Sequence, residues 1–430
     1  MTPHQLYQEK RRTVEQALSL IHSGDTVIGA TYVCEPVLLY RALHTIAPRV
    51  RDVTVWCGIT KEVYPFYSDP AYHDTFFVNC IFYDPQARAN HAGGHVSYLP
   101  FHMHQMPGIM ANQEPDVFMM AVPPMDAEGY FYLTPIQQFE TEVFHAAKTR
   151  IFEVNPHIPF LPTGKRVHIS EITCLIESDC GISYAPEFMP SAVEQQAAAN
   201  AAALVRDGDT IQIGLGNLSN AVADALHEKN DLGIYTEIFC ASAGRLMQRG
   251  VVTNRRKNFH PDKTVCGFLW GDQPFYDFLD HNPDIELLPS AYVNDPYHIA
   301  QNDNMVSINT ALQIDLTGQV CSETLNGRQY SGTGGATDFA AGAYMSRGGR
   351  GIVVITSTAK NGTVSKIQPM LSLGSVVSIS RNWVDCIVTE YGVARLKGTN
   401  IRQRVERLIA IAHPDFRAEL RRESDRLMLW

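Results

Sequence analysis

Ala202-Ala203-Leu204-Val205-Arg206-Asp207-Gly208-Asp209-Thr210-Ile211-Gln212-Ile213-Gly214 reads as a helix end, a turn and a buried strand. The chain carries the same pattern near its start, in Ala17-Leu18-Ser19-Leu20-Ile21-His22-Ser23-Gly24-Asp25-Thr26-Val27-Ile28-Gly29. Gly24 and Gly208 stand 184 residues apart, each followed by an aspartate-threonine pair that opens the strand. A glycine there ends the helix, because a left-handed conformation suits that residue above others. A helical stretch follows each copy, Val37 to Ala47 and Leu218 to His227. After each comes another β-branched run, Val53-Thr54-Val55-Trp56 and Gly233-Ile234-Tyr235-Thr236. Strand and helix alternating in this way imply parallel sheets flanked by helices. The expectation is an α/β fold of two related open domains with largely parallel sheets and an active site between them.

Two prolines interrupt Tyr184-Ala185-Pro186-Glu187-Phe188-Met189-Pro190, so the join is placed there, giving domains 1–188 and 189–430. Ser191 and Glu194 then form a capping box for an alanine-rich helix, Ala192 to Val205. Asp116 to Val122, Arg150 to Val154, Gly351 to Ile355 and Cys386 to Glu390 read as further buried strands. The tail from Asn400 to Trp430 reads as amphipathic helix.

Composition narrows the function. A length of 430 residues exceeds the usual single core, and 45% hydrophobic content supplies two. A formal charge of −10 argues against a nucleic-acid partner. No apolar run approaches the ~18 residues that span a bilayer, and residues 1–12 carry no apolar signal core, so a cytoplasmic protein is expected. The nine cysteines include no C-x-x-C pair and read as small buried residues. Cys240, near Glu237, reads as strand-end packing ahead of a reactive thiol. His102-Met103-His104 lacks a third ligand at helical spacing, so no metal is expected. Arg88, Arg245 and Arg255-Arg256-Lys257 are candidate anion partners or solvated faces.

The chemistry centres on Glu237. Gly214-Leu215-Gly216-Asn217-Leu218 lies between a strand and a helix, where bare backbone amides face an anion. Glu237 follows 23 residues after Gly214, close to the place of a ribose-binding acid in a dinucleotide site, although Ser219 stands where the third glycine would be. The second reading makes Glu237 a nucleophile. A carboxylate stripped of hydration in a closed pocket can attack a thioester carbonyl. Gly334-Gly335 could then offer backbone N–H groups to the oxyanion, the alternative being a flexible surface turn.

Several stretches resemble the family I coenzyme A transferases, in the acetyl-CoA hydrolase/transferase branch. They are Pro162-Thr163-Gly164 with His168-Ile169-Ser170-Glu171, Tyr235-Thr236-Glu237, Val293-Asn294-Asp295-Pro296 and Gly332 to Phe339. Ser357 to Ser365, Val388 to Leu396 and Ile409 to Phe416 continue the resemblance, in order, along nearly the whole chain. It implies ping-pong transfer through an acyl-glutamyl anhydride and a glutamyl-CoA thioester on Glu237, with acyl-CoA and small carboxylic acids as partners. It also implies that Gly214 to Leu218, Gly335 and Lys360 contact coenzyme A, whereas Lys360 read alone is a solvated loop charge. No tightly bound cofactor is implied; coenzyme A enters as substrate and covalent intermediate. Family analogy further implies a homodimer or larger homo-oligomer.

One departure stands out: Ala336 occupies the position where the family usually has glutamine. A lost amide removes two donors and an acceptor, so the acyl pocket is expected to differ in size and hydrogen bonding from that of the typical member. The resemblance extends to a branch of the family that acts on itaconate with succinyl-CoA as donor, which implies itaconate or succinate as the acceptor. Transfer to 4-hydroxybutyrate, butyrate or acetate, acyl-CoA hydrolysis, and nicotinamide-dependent oxidation on the ribose reading are the alternatives.

Overall fold

The computed structural model describes residues 1–186 and 189–430, and in it the chain divides into two compact units. The first comprises Met1–Ala185 and Gly267–Ala291, the second Pro186–Cys266 and Tyr292–Trp430. The join expected between residues 188 and 189 abuts Glu187 and Phe188, which lie outside the described residues. The expectation that 189–430 forms one domain needs a correction, because 267–291 returns to the first unit. Main-chain bonds hold it there: Gln137 N–H donates to Gly267 O at 2.8 Å and Ala185 N–H to Gly271 O at 2.9 Å. Phe160 N–H also donates to the Asp280 carboxylate at 2.8 Å.

In the first unit, a short helix α1 (Val14–Leu18) precedes strand β1 (Thr26–Gly29), helix α2 (Val37–Leu43) and strand β2 (Val53–Cys57). Strands β3 (Phe76–Cys80), β4 (Val96–Tyr98), β5 (Val117–Val122), β6 (Thr149–Val154) and β7 (Cys174–Glu177) complete a seven-stranded sheet ordered β4-β3-β2-β1-β5-β6-β7. All its strand pairs are parallel. Its core packs Leu39, Tyr40, Leu43, Phe66 and Phe76 against strand residues such as Val27, Val55 and Met119.

The second unit repeats the plan. Helix α3 (Ala192–Ala202) begins at the expected capping box, with Glu194 N–H on Ser191 Oγ at 3.3 Å and Ser191 N–H on Glu194 Oε2 at 2.8 Å. Strand β8 (Thr210–Ile213), helix α4 (Asn217–Ala225), strand β9 (Gly233–Cys240) and helix α5 (Ala241–Gln248) follow. With strands β10 (Met305–Thr310), β11 (Arg350–Val354), β12 (Cys386–Thr389) and β13 (Gly392–Arg395), β8 and β9 make six of the eight strands of one sheet, in the order β9-β8-β10-β11-β12-β13. The neighbours run parallel except β13, which returns antiparallel to β12. Helix α6 (Ala336–Met345) precedes β11, and α7 (Ile401–Ile411) and α8 (Pro414–Arg426) form the helical tail.

The repeated Gly-Asp-Thr has one physical explanation in both units. The helices end earlier than expected, at Leu18 and Ala202, and the glycines take φ of +83° and +81° in the turn that follows. Asp25 accepts the N–H of His22 at 2.7 Å, and Asp209 that of Arg206 at 2.6 Å, so each carboxylate closes its turn. The aspartate carbonyls then accept Thr54 N–H and Gly233 N–H, which sets the register of the next strand. In each sheet the first strand is interior, with the second strand on one side and a much later one on the other. Strand order reverses there, and ligands of open α/β sheets gather at the carboxyl ends of such strands.

Candidate active site

Strand β9 reads Gly-Ile-Tyr-Thr-Glu-Ile-Phe-Cys, and Glu237 is its only residue that is not buried. Side chains alternate across a strand. Ile234, Thr236 and Ile238 face Ile211, Ile213 and Ala243, so Glu237 shares the opposite face with Tyr235 and Phe239. On that face the Tyr235 ring lies 6.4 Å from Phe339 of α6, which brings the start of this helix over Glu237.

Two groups grip the carboxylate. Asn294 Nδ2 donates to Glu237 Oε2 at 2.8 Å, and the Gly335 N–H hydrogen-bonds it from the cap of α6. Gly335 approaches so closely that a Cβ there would lie 1.7 Å from Glu237 Oε2 and 2.3 Å from Asn294 Nδ2. Only glycine fits. Gly334, one residue earlier, turns the chain with φ +55°. The start of a helix carries partial positive charge, which favours an anion beside it.

Burial nevertheless dominates the electrostatics, lifting the Glu237 pKa from 4.5 to about 7. The Asn294 hydrogen bond pulls it down, the nearby Asp338 charge pushes it up, and the Gly335 N–H pulls it down again. Asp338 is itself buried in the first turn of α6. Glu35 and Glu140 of the first unit also have carboxyls raised by burial, to about 8 and about 7. Those two are 3% and 0% exposed and receive backbone amides, Lys61 N–H for Glu35 and Gln138 and Phe139 N–H for Glu140. Glu237 combines a raised pKa with partial exposure, from within β9 and level with the carboxyl end of β8.

The first glycine turn lies level with this carboxylate. Strands β8 and β9 pair Ile211 with Ile234, and three residues further along each chain stand Gly214 and Glu237. Gly214 N–H bonds to Ile308 O at 2.9 Å, and Gly216 takes φ +121°, ψ 171°, a region open essentially to glycine alone. Asn217 and Leu218 open α4, the first N–H groups of a helix have no partner within it, and residues 214 to 217 are half-buried. Asn220 Oδ1 accepts Ser242 Oγ at 2.7 Å, and Ser242 Oγ lies 3.1 Å from Cys240 Sγ, tying α4 to the end of β9. Cys240 is buried in this linkage, as strand-end packing requires.

The structure thus groups Glu237 with Gly334 and Gly335, and sets Gly214 to Leu218 alongside. Lys360 lies in the same unit, exposed at the tip of a hairpin between Thr358–Ala359 and Val364–Ser365. Lys360, Asn361 and Gly362 all have positive φ, of 49°, 52° and 87°. Ala336 packs against the core cluster of Ile314, Leu316, Val353 and Leu408, so its methyl group serves α6 packing. The His102 and His104 rings stack 5.9 Å apart, and no cluster of three or more metal-binding side chains occurs among the described residues. No helix among them is long and apolar enough to cross a membrane.

Sequence reasoning assigned no role to Asn294 or Asp338. A signal existed for Asn294. In Val293-Asn294-Asp295-Pro296 the aspartate caps a helix, accepting Tyr297 N–H at 2.8 Å, and proline takes its first position. The asparagine alone has no local structural task, and its Oδ1 is buried without a hydrogen-bond partner.

Residues 1–184 match the acetyl-CoA hydrolase/transferase N-terminal domain, and residues 271–424 the C-terminal domain of that family. The chain is 39% identical over 426 residues to the succinyl-CoA:cyclohexane-1-carboxylate CoA transferase of Geobacter metallireducens, covering 98% of this chain and 96% of that one. It is 37% identical to the 4-hydroxybutyrate coenzyme A transferase of Clostridium kluyveri, over 97% and 98% of the two chains. The crystal structure of RipA from Yersinia pestis matches it with a TM-score of 0.95 at 37% identity, over 100% of both chains. With both domains matched in order and relatives aligned nearly end to end, the chain belongs to the acetyl-CoA hydrolase/transferase family.

Proposed function

We propose that the protein is an acyl-CoA:carboxylate CoA-transferase that works through Glu237. The observation that carries this reading is the carboxylate itself, poised near neutral pKa by burial and held by Asn294 at Oε2 and by the Gly335 backbone. A partly desolvated carboxylate is more nucleophilic than a hydrated one. It attacks the acyl-CoA carbonyl; the C–S bond breaks, CoA thiolate leaves, and an acyl-glutamyl anhydride remains. The thiolate then attacks the glutamyl carbon of the anhydride and expels the first acid as its carboxylate. The glutamyl-CoA thioester that results is attacked by the acceptor carboxylate, and the same steps run in reverse.

The two donors serve more than one stage. When thiolate adds to the glutamyl carbon, negative charge gathers on Glu237's own oxygen, where Asn294 Nδ2 and the Gly335 N–H already point. Gly214 to Leu218 offer amides, and Lys360 a point charge, for coenzyme A. Small acids are the acceptors, itaconate with succinyl-CoA as donor being the specific pair proposed, and 4-hydroxybutyrate, cyclohexanecarboxylate, butyrate and acetate the comparison panel.

Isotope exchange tests the reading. With succinyl-CoA and labelled succinate as the only acid, a ping-pong enzyme moves label into succinyl-CoA, and Glu237→Ala stops it. Exchange that survives in Glu237→Ala, or turnover that yields only free CoA and acid, contradicts the proposal. The panel separately ranks the acceptors.

A further inference from the structure

The segment that delivers Gly335 to Glu237 is held by one buried acid. Glu323 is 4% exposed. Its carbonyl accepts Tyr330 N–H at 2.7 Å and Ser331 N–H at 3.0 Å, and its Oε2 accepts the Thr333 hydroxyl at 3.0 Å. Between acid and hydroxyl the chain makes a hairpin, Thr324–Leu325 against Arg328–Gln329, and Gln329 Nε2 bonds back to Ser331 O at 2.6 Å. Residues 330, 331 and 333 are therefore all referred to Glu323, and the glycine turn starts immediately after.

Glu323 is itself anchored. Ser322 N–H donates to Ser378 Oγ at 2.9 Å, and Thr337, in the first turn of α6, donates its hydroxyl to the Ser378 carbonyl. The neighbouring Cys321 is registered against Gln313 in a strand pair. Both ends of the glycine turn are thus fixed to one frame, with the Glu323–Thr333 bond on the approach and the Thr337–Ser378 bond beyond. A buried acid is costly unless its bonds offset the loss of hydration. A surface turn has no need of one, but a turn that must hold an amide against a carboxylate does.

We propose that Glu323 is a positioning residue of the transfer site. Through Thr333 it sets the Gly335 N–H against Glu237, for the carboxylate and for the oxyanion that later forms there. The inference rests on Glu237 being the nucleophile. Glu323 touches neither substrate nor the reacting atoms; it acts through the turn.

The test compares Thr333→Val, Thr333→Ser and Glu323→Ala with the unaltered chain, reading kcat, KM and the pH profile of kcat/KM beside thermal stability. Loosening the turn misplaces the amide, and a ~1 Å error can cost ~10²-fold. Thr333→Val is expected to lower kcat about 10- to 100-fold with little change in KM for acyl-CoA. Because the Gly335 N–H lowers the Glu237 pKa, its loss should also move the acid limb of the profile to higher pH. Thr333→Ser, which keeps the hydroxyl, should recover most of kcat, and Glu323→Ala should follow Thr333→Val. A Thr333→Val enzyme with unaltered kcat and an unshifted limb overturns the proposal, whatever its melting temperature. Glu237→Ala run in parallel separates the two levels. If that variant is inactive while Thr333→Val is normal, positioning alone fails; if it is active, the reading beneath fails.

Discussion

Glu237 is a residue whose ionisation the fold opposes, and this has consequences for both rate and stability. Its pKa is about 7 in the folded chain against 4.5 for an ordinary glutamate. Between those values the folded form keeps a proton that the unfolded form has lost, so stability falls as pH rises through the window. The interval corresponds to roughly 3 kcal/mol. Glu237→Gln, which cannot ionise, should therefore be more stable than the unaltered chain by up to roughly 3 kcal/mol at pH 8, with the gap narrowing by more than half toward pH 5. Urea unfolding at the two pH values checks this, and a gap that does not vary with pH contradicts it. If Glu237 is the nucleophile and must be charged to attack, the same ionisation should set the acid limb of kcat/KM for acyl-CoA near pH 7. A limb near 4.5 would mean the buried environment does not persist in the free enzyme.

At the scale of elements, the turn before α4 takes a backbone conformation that essentially glycine alone adopts. Gly216 adopts φ +121° and ψ 171°, yet a Cβ there would meet nothing within 4 Å. Gly216→Ala thus acts through the backbone alone, at a cost of about 1–3 kcal/mol. If residues 214 to 218 hold coenzyme A, KM for acyl-CoA should rise by about tenfold or more, and kcat should change less. An unchanged KM would remove this turn from the coenzyme A site. The elements also show what local sequence carries. Strands β1, β2, β8 and β9 were readable because Gly-Asp-Thr and the β-branched runs report local geometry, and the Ser191–Glu194 box marked the start of α3 correctly. Helix ends were displaced, at Leu18 and Ala202, because the turn closed by Asp25 or Asp209 takes up the residues before each glycine. The strand Thr264–Trp270 went unread: it is buried along its whole length and so lacks alternation, and Gly267 interrupts it.

At the scale of the whole chain, the return of residues 267–291 to the first unit was invisible beforehand. Its cause lies in bonds to Gln137, Phe160 and Ala185, more than 80 residues away in sequence, and no local composition marks them. The site was legible in part for the same reason. Glu237 and the two glycine turns announce themselves by residue type, while Asn294 and Glu323 matter through partners 57 and 10 residues distant. At Ala336 residue type alone did not reveal the packing of the side chain, which lies partly buried against the core cluster. The account therefore stands on a covalent event at one residue. Incubation with acyl-CoA, reduction with borohydride and peptide mass mapping test it most directly. The account predicts that a single glutamyl thioester is trapped and reduced to the alcohol at Glu237, with loss of activity that needs both reagents. Modification at another residue, or none with activity retained, would contradict it.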